Sequence, residues 1–172
     1  KNVGPVRKEM GERTIFNILG PLTNPANASI QLLGVSNNDL VEKLAEVLKN
    51  LGVKRGMAVC GNDGLDEITL TGPTHCCEIR DGGLTSFDIT PEQFGFETCD
   101  LKELIGGTPQ ENAQITRDIL SGKETGAKRN VILMNAGIAI YLGKEDITME
   151  EGVAIAKEMI DRGKALEKLE EF

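Results

Sequence analysis

Residues 29–61, "SIQLLGVSNNDLVEKLAEVLKNLGVKRGMAVCG", decide the fold. "SIQLLGV" (29–35) is a short apolar run suited to a buried strand. "NNDLVEKLAEVLKNLG" (37–52) predicts an amphipathic helix: Asn38 or Asp39 caps it, and Leu40, Leu44, Val47, Leu48 and Leu51 recur at helical spacing. Gly52 ends it. "RGMAVCG" (55–61) is a second buried strand. Strand, helix and strand in this order form a βαβ unit, so the two strands are expected to run parallel with a right-handed crossover.

Working outward, "THCCEIRDGGLTSFDIT" (74–90) reads as two strands around an Asp-Gly-Gly turn. "TPEQFGF" (90–96) is a short turn or helical start. The remainder is expected to be helical: "DLKELI", "TPQENAQITRDILSG", "KRNVILMNAGIAIYLG" and "TMEEGVAIAKEMIDRGKALEKLEEF". Thr108 and Glu111 form a T-x-x-E capping box with Pro109 at the first helical position. The third segment is apolar nearly all round and should be buried. The last should turn Met149, Val153, Ala156, Met159 and Ile160 inward.

Toward the N-terminus, one short helix is expected from near Pro5 to Gly11. A second runs from about Thr14 to Leu19, stopped by Gly20-Pro21, and "TNPANA" is a loop. The class is therefore α/β, with a small sheet and many helices. A parallel sheet needs both faces covered and usually more than two parallel strands. Opening helices with no preceding sheet, and a first residue other than Met, suggest the later part of a larger fold.

The chain has 172 residues, enough for a substantial core, and a net charge of −8. That charge disfavours gripping nucleic acid through the whole surface, since such binding neutralises phosphates. No apolar run reaches the length of a membrane span, and no signal peptide is recognisable. Cys60, Cys76, Cys77 and Cys99 fit no zinc spacing and read as free thiols of a cytoplasmic protein. His75 is the only histidine, which leaves no Ser-His-Asp or Cys-His arrangement.

"GNDGLDEIT" (61–69) follows the second strand. Ligands of open α/β sheets bind beyond the carboxyl ends of the strands. Asp66 and Glu67 there suit Mg²⁺, a hard ion usually held by one or two carboxylates plus substrate phosphates. Taken alone, an acidic pair in a loop is more often solvated charge. Arg7, Lys8 and Arg13 could clamp a carboxylate or lie in solvent. "NILGPLTNPAN" could be a helix stop, a ligand wall or a hinge.

Together, "PVRKEMGERTIFNILGPLTNPA", "GNDGLDEIT", "TPEQFGF", "GGTPQENAQITRDILSG" and "VILMNAGIAIYLG", in this order, resemble the anthranilate phosphoribosyltransferase family over essentially the whole chain. The resemblance implies the C-terminal half of such an enzyme, because the family's "GTGGD" pyrophosphate loop and Lys-His-Gly-Asn segment are absent. It implies an α/β fold of the nucleoside phosphorylase/phosphoribosyltransferase type. Residues 1–25 would belong to a small helical domain and hinge, and 26–172 to part of a mainly parallel α/β domain with flanking helices.

The resemblance also implies roles. Arg7 in "PVRKE" would hold the anthranilate carboxylate, and Pro21 in "LGPLTNP" would line the aromatic pocket. Asp66 and Glu67 in "DGLDE" would hold Mg²⁺ on phosphoribosyl pyrophosphate. No covalent nucleophile is implied. The full-length enzyme would be a cytoplasmic homodimer of tryptophan biosynthesis, and this half alone would be inactive. Two alternatives share the architecture: a nucleic-acid-binding, non-catalytic paralogue and a pyrimidine nucleoside phosphorylase.

Overall fold

The computed structural model describes residues 16–171. The first expected helix, the position of Arg7 and the start of the second helix lie outside the described residues. Chain order is α1 (Phe16–Leu22), β1 (Ile30–Gly34), α2 (Val41–Asn50), β2 (Arg55–Gly61), β3 (Thr74–Arg80) and β4 (Gly83–Ile89). Then come α3 (Pro109–Leu120), α4 (Ala127–Gly143), α5 (Met149–Asp161) and α6 (Lys164–Glu170).

The four strands form one sheet in the order β1-β2-β3-β4. β1 and β2 are parallel, with Ile30 opposite Arg55 and Gly34 opposite Val59, as the βαβ reading requires. The sheet continues antiparallel through β3 and β4, so parallel pairing among the described strands is confined to β1–β2. The hairpin turns at Asp81 and Gly82, both with positive φ (51° and 75°), the conformation that matches the strand twist.

Both faces of the sheet are covered. On one, Val41, Leu44, Ala45 and Leu48 of α2 bury against Leu33, Ala58, Cys60, Cys77 and Ile79. On the other, Val131, Met134, Ile138 and Leu142 of α4 bury against Met57, Val59, Cys76 and Ile89. The far side of α4 presents Leu133 to Val153, Ala156 and Ile160 of α5. Packing on two sides explains why α4 is apolar almost all round; Ile132 alone of its large apolar residues is notably exposed. No helix among the described residues is long and apolar enough to cross a membrane.

Several local expectations need correction. α1 does not stop before Gly20-Pro21 but continues to Leu22 with Pro21 inside it. Proline removes a single donor, and the turn is carried past it by Thr23, whose N–H and hydroxyl both donate to the Leu19 carbonyl at 2.9 and 2.8 Å. The helix-capping residue is Asn37, not Asn38 or Asp39. Its extended backbone aims its side chain at the Asp39 N–H (2.9 Å) and opens a 3-10 turn, 38–40, ahead of α2.

"DLKELI" makes only one 3-10 turn, Leu101–Glu103, under an Asp100–Glu103 capping box. The C-terminal stretch is two helices, because Gly163 takes a left-handed φ of 73° and ends the first. Met159 is partly exposed rather than inward. The Thr108–Glu111 capping box with Pro109 at the first position forms as read.

The four cysteines are free thiols, and Cys60, Cys76 and Cys77 are buried. Burial pushes the Cys76 thiol up to about 12, which keeps it protonated and unreactive. His75, just before this cysteine pair on β3, belongs to a clasp. Its Nδ1 is 2.7 Å from Asp88 Oδ1 on β4, and its Nε2 is 2.7 Å from Glu42 Oε1 on α2. Both partners are acceptors, so the geometry fits the imidazolium, which donates from both nitrogens. Ser86 also donates to Glu42 Oε1, at 3.0 Å.

Hydrogen bonds to Asp88 and Glu42 raise the His75 pKa above its usual 6.5, and the bond from His75 lowers Glu42 below 4.5. The Glu42 contribution to stability is complete above pH 4.5 and falls away below it. The His75 contribution is complete below pH 6.5 and is lost as pH rises through its raised value. The clasp is partly exposed, so its worth is about 1 kcal/mol or less. The unfolding free energy of the wild-type protein should exceed that of His75→Gln most between pH 4.5 and 6.5, and the gap should close at higher pH. Chemical denaturation of both proteins across pH measures it; a pH-independent gap would remove the clasp.

Candidate active site at the carboxyl end of the parallel strands

β1 ends at Gly34, opposite Val59, and the neighbouring β2 runs two residues further, to Gly61. The loop leaving Gly61 is closed on itself. The Gly61 N–H donates to the Leu65 carbonyl (2.9 Å) and the Gly64 N–H to the Gly61 carbonyl (2.9 Å), with Gly64 at φ +82°.

Asp63 holds this loop together. Its Oδ2 accepts from the Thr69 and Thr71 hydroxyls at 2.6 and 2.7 Å, and its Oδ1 accepts from the Leu65 N–H at 2.9 Å. Desolvation opposes the charge on Asp63, but these hydrogen bonds outweigh it and hold the carboxyl below its usual range. The Thr69 N–H in turn donates to the Thr74 hydroxyl at 3.0 Å, tying the loop to β3.

Asp66 and Glu67 stand in contrast. Both are exposed, and among the described residues neither carboxylate has a hydrogen-bond or ion-pair partner. Desolvation by surrounding protein, then the negative charges of Asp66 and Asp63, raise the Glu67 pKa. Three acids thus share one loop with two roles: Asp63 is consumed by structure, while Asp66 and Glu67 keep their oxygens available.

The main chain of the pair is held closely. A Cβ on Gly34 would fall 1.6 Å from the Asp66 carbonyl oxygen, so the loop backbone rests directly on the end of β1. On the far side, Asn135 of α4 binds Ile68 twice. Its Oδ1 accepts from the Ile68 N–H (3.0 Å) and its Nδ2 donates to the Ile68 carbonyl (2.8 Å). Ile68 itself is fully buried. Sequence reasoning passed over Asn135, although an amide side chain inside the apolar run "VILMNAGIAIYLG" is the signal that marks it.

Pro21 is exposed on α1, and its carbonyl accepts from Gln31 Nε2 on β1 at 3.3 Å. Gln31 and Gly34 are three residues apart, about 10 Å along a strand, so β1 carries both the Pro21 contact and the Asp66 contact. A surface depression lined by Ile105, Gly106, Gly107, Glu111, Gln114 and Ile115 contains neither Pro21 nor the acid pair. Among the described residues no three His, Cys, Asp or Glu side chains converge into a metal-binding group. Two free carboxylates remain, a donor set that fits a Mg²⁺ ion keeping waters and taking its other ligands from a substrate.

A family model described as "Glycosyl transferase family, a/b domain" matches residues 1–166. The anthranilate phosphoribosyltransferases of Endomicrobium trichonymphae and Lachnoclostridium phytofermentans are 56% and 54% identical over all 172 residues, which cover 51% of each relative. The chain thus spans about half the length of the curated relatives it matches.

Among solved structures, the anthranilate phosphoribosyltransferase of Thermus thermophilus superposes with a TM-score of 0.90 at 40% identity, over 98% of this chain and 50% of that one. The Saccharomyces cerevisiae enzyme in complex with PRPP and Mg gives 0.88 at 33% identity, over 98% of this chain and 48% of that one. Matched over nearly its entire length by the family model, the chain belongs to the glycosyl transferase family, a/b domain.

Proposed function

We propose that the full-length protein carrying this chain transfers the phosphoribosyl group of phosphoribosyl pyrophosphate to the amine of anthranilate, releasing pyrophosphate, in tryptophan biosynthesis. The observation that carries the reading is the pair of uncommitted carboxylates, Asp66 and Glu67, on a pinned loop at the carboxyl end of β2. Anthranilate phosphoribosyltransferase relatives supply the substrate class, and the Saccharomyces cerevisiae enzyme has been solved both with PRPP and Mg and with 4-fluoroanthranilate.

In the reaction the amine nitrogen attacks C1 of the ribosyl group, the bond from C1 to the pyrophosphate oxygen breaks, and the amine then gives up a proton. An arylamine is neutral at pH 7 and only modestly nucleophilic, so alignment and relief of departing charge dominate catalysis. Mg²⁺, when bound, supplies charge neutralisation for the pyrophosphate. Asp66 and Glu67 are assigned to hold it, and the loop bonds of Asp63 keep them in place. Arg7 is assigned to the anthranilate carboxylate, where its planar fork can donate two parallel hydrogen bonds. Pro21 is assigned to the wall of the aromatic pocket.

Turnover of the full-length protein with anthranilate, phosphoribosyl pyrophosphate and Mg²⁺ tests the assignment directly. No pyrophosphate release on adding anthranilate would reject it. Arg7→Ala should raise the KM for anthranilate by roughly tenfold or more, the worth of a charge-assisted hydrogen bond, while the KM for phosphoribosyl pyrophosphate stays nearly constant. Equal changes in both would remove the carboxylate contact. The 172-residue chain assayed alone is expected to be inactive, since it represents about half of the relatives it matches.

A further inference from the structure

We infer that Asn135 is a positioning residue for the Asp66–Glu67 pair, a role that rests on the function proposed above. The two residues flanking the pair have every main-chain polar group occupied. The Leu65 N–H donates to Asp63 and its carbonyl accepts from Gly61. The Ile68 N–H and carbonyl are both taken by the Asn135 amide, at 3.0 and 2.8 Å. The first flank is held from within the loop. The second is held from another element, 67 residues away in sequence.

The Asn135 amide is itself fixed, because Nδ2 also donates to the Val131 carbonyl one helical turn earlier, at 3.0 Å. Val131 and Met134 beside it are buried against the sheet, so α4 is a rigid support. Ile68, the residue after Glu67, is fully buried in the same cluster, which anchors that end of the loop in the core. An amide side chain suits this role because it offers a donor and an acceptor to the two main-chain groups of one residue. The consequence is that the direction in which Glu67 leaves the chain is set by α4, and that Asn135 influences the reaction without touching the reactants.

The test uses the full-length protein with Asn135→Leu, which removes the donor and the acceptor while keeping an apolar side chain of similar size. The KM for phosphoribosyl pyrophosphate and the Mg²⁺ concentration for half-maximal rate should each rise about tenfold, as expected for losing two main-chain hydrogen bonds beside the ligands. The KM for anthranilate should change less than about twofold. A merely structural role would lower kcat through loss of folded protein and leave both KM values alone, which would overturn the inference.

Adding Asn135→Leu to the Asp66→Asn/Glu67→Gln protein should cost no further affinity for phosphoribosyl pyrophosphate in calorimetry. An independent loss there would also overturn it. Should Asn135→Leu fail to fold, Asn135→Asp, which keeps the acceptor for the Ile68 N–H, is judged by the same split between KM values. If the acid-pair variant retains undiminished Mg²⁺-dependent turnover, the assignment of the metal to Asp66 and Glu67 falls and this inference with it; if the wild-type protein shows no turnover, the proposed function itself falls. If the acid-pair variant loses that turnover and the Asn135 variants show no split, only this inference falls.

Discussion

Asp66→Asn combined with Glu67→Gln in the full-length protein is expected to remove Mg²⁺-dependent turnover by roughly a thousandfold or more, with the fold intact. The two halves of this expectation rest on different facts. The loss follows because the substitutions replace anionic oxygens by neutral amides at the atoms assigned to the metal. The intact fold follows because neither carboxylate has a partner among the described residues, and both are exposed. Removing such groups changes unfolding free energy by no more than about 0.5 kcal/mol.

Asp63→Asn serves as the contrast. Its carboxylate holds three loop donors, so that variant should lose stability as well as turnover. Steady-state kinetics across Mg²⁺ concentration, read beside chemical denaturation, separates the two cases. Undiminished, Mg²⁺-dependent turnover in the double variant would end the metal assignment.

The second large effect is expected at a residue with no chemistry of its own. Gly34→Ala would place a methyl carbon 1.6 Å from the Asp66 carbonyl oxygen and 2.5 Å from its carbonyl carbon. Both obstacles are main-chain atoms, so no side-chain rotation relieves the clash. Either β1 or the acid-pair loop must move by more than an ångström. Displacements of that size at a positioning element cost about a hundredfold in rate. Overpacking of this kind costs about 1–3 kcal/mol in stability.

Gly143→Ala, at the end of α4 with open space around its Cβ, is the matched control and should be neutral. Kinetics of the two full-length variants decides the matter. A Gly34→Ala enzyme with normal kcat/KM would show that the contact between β1 and the loop has no bearing on the site.

Much of the fold was legible because its determinants are local. The βαβ unit followed from apolar runs and one amphipathic period between 29 and 61, and the parallel register of β1 and β2 bears it out. The Asp81–Gly82 turn and the Thr108 capping box are short patterns whose partners lie within four residues. The structure departs from the local reading where one residue outweighs the surrounding pattern, by a hydrogen bond in one case and by its own backbone conformation in the other. Thr23 carries α1 past Pro21, and Gly163 divides a helix whose apolar pattern reads as continuous.

The site divides in the same way. Sequence by itself determined that an acidic pair follows a glycine turn at the end of a buried strand, and that the surrounding motifs resemble one enzyme family. Tertiary structure decided which acids are free. Asp63 and Asp66 are three residues apart and chemically identical, yet only Asp63 meets the Thr69 and Thr71 hydroxyls. It also decided what holds the pair: Gly34 from β1 and Asn135 from α4, and likewise that His75 meets Glu42 33 residues away. The donors that Asp63 meets depend on the path the loop takes, and the Gly34, Asn135 and Glu42 contacts on where distant elements come to rest; no periodicity or spacing within a short window encodes either.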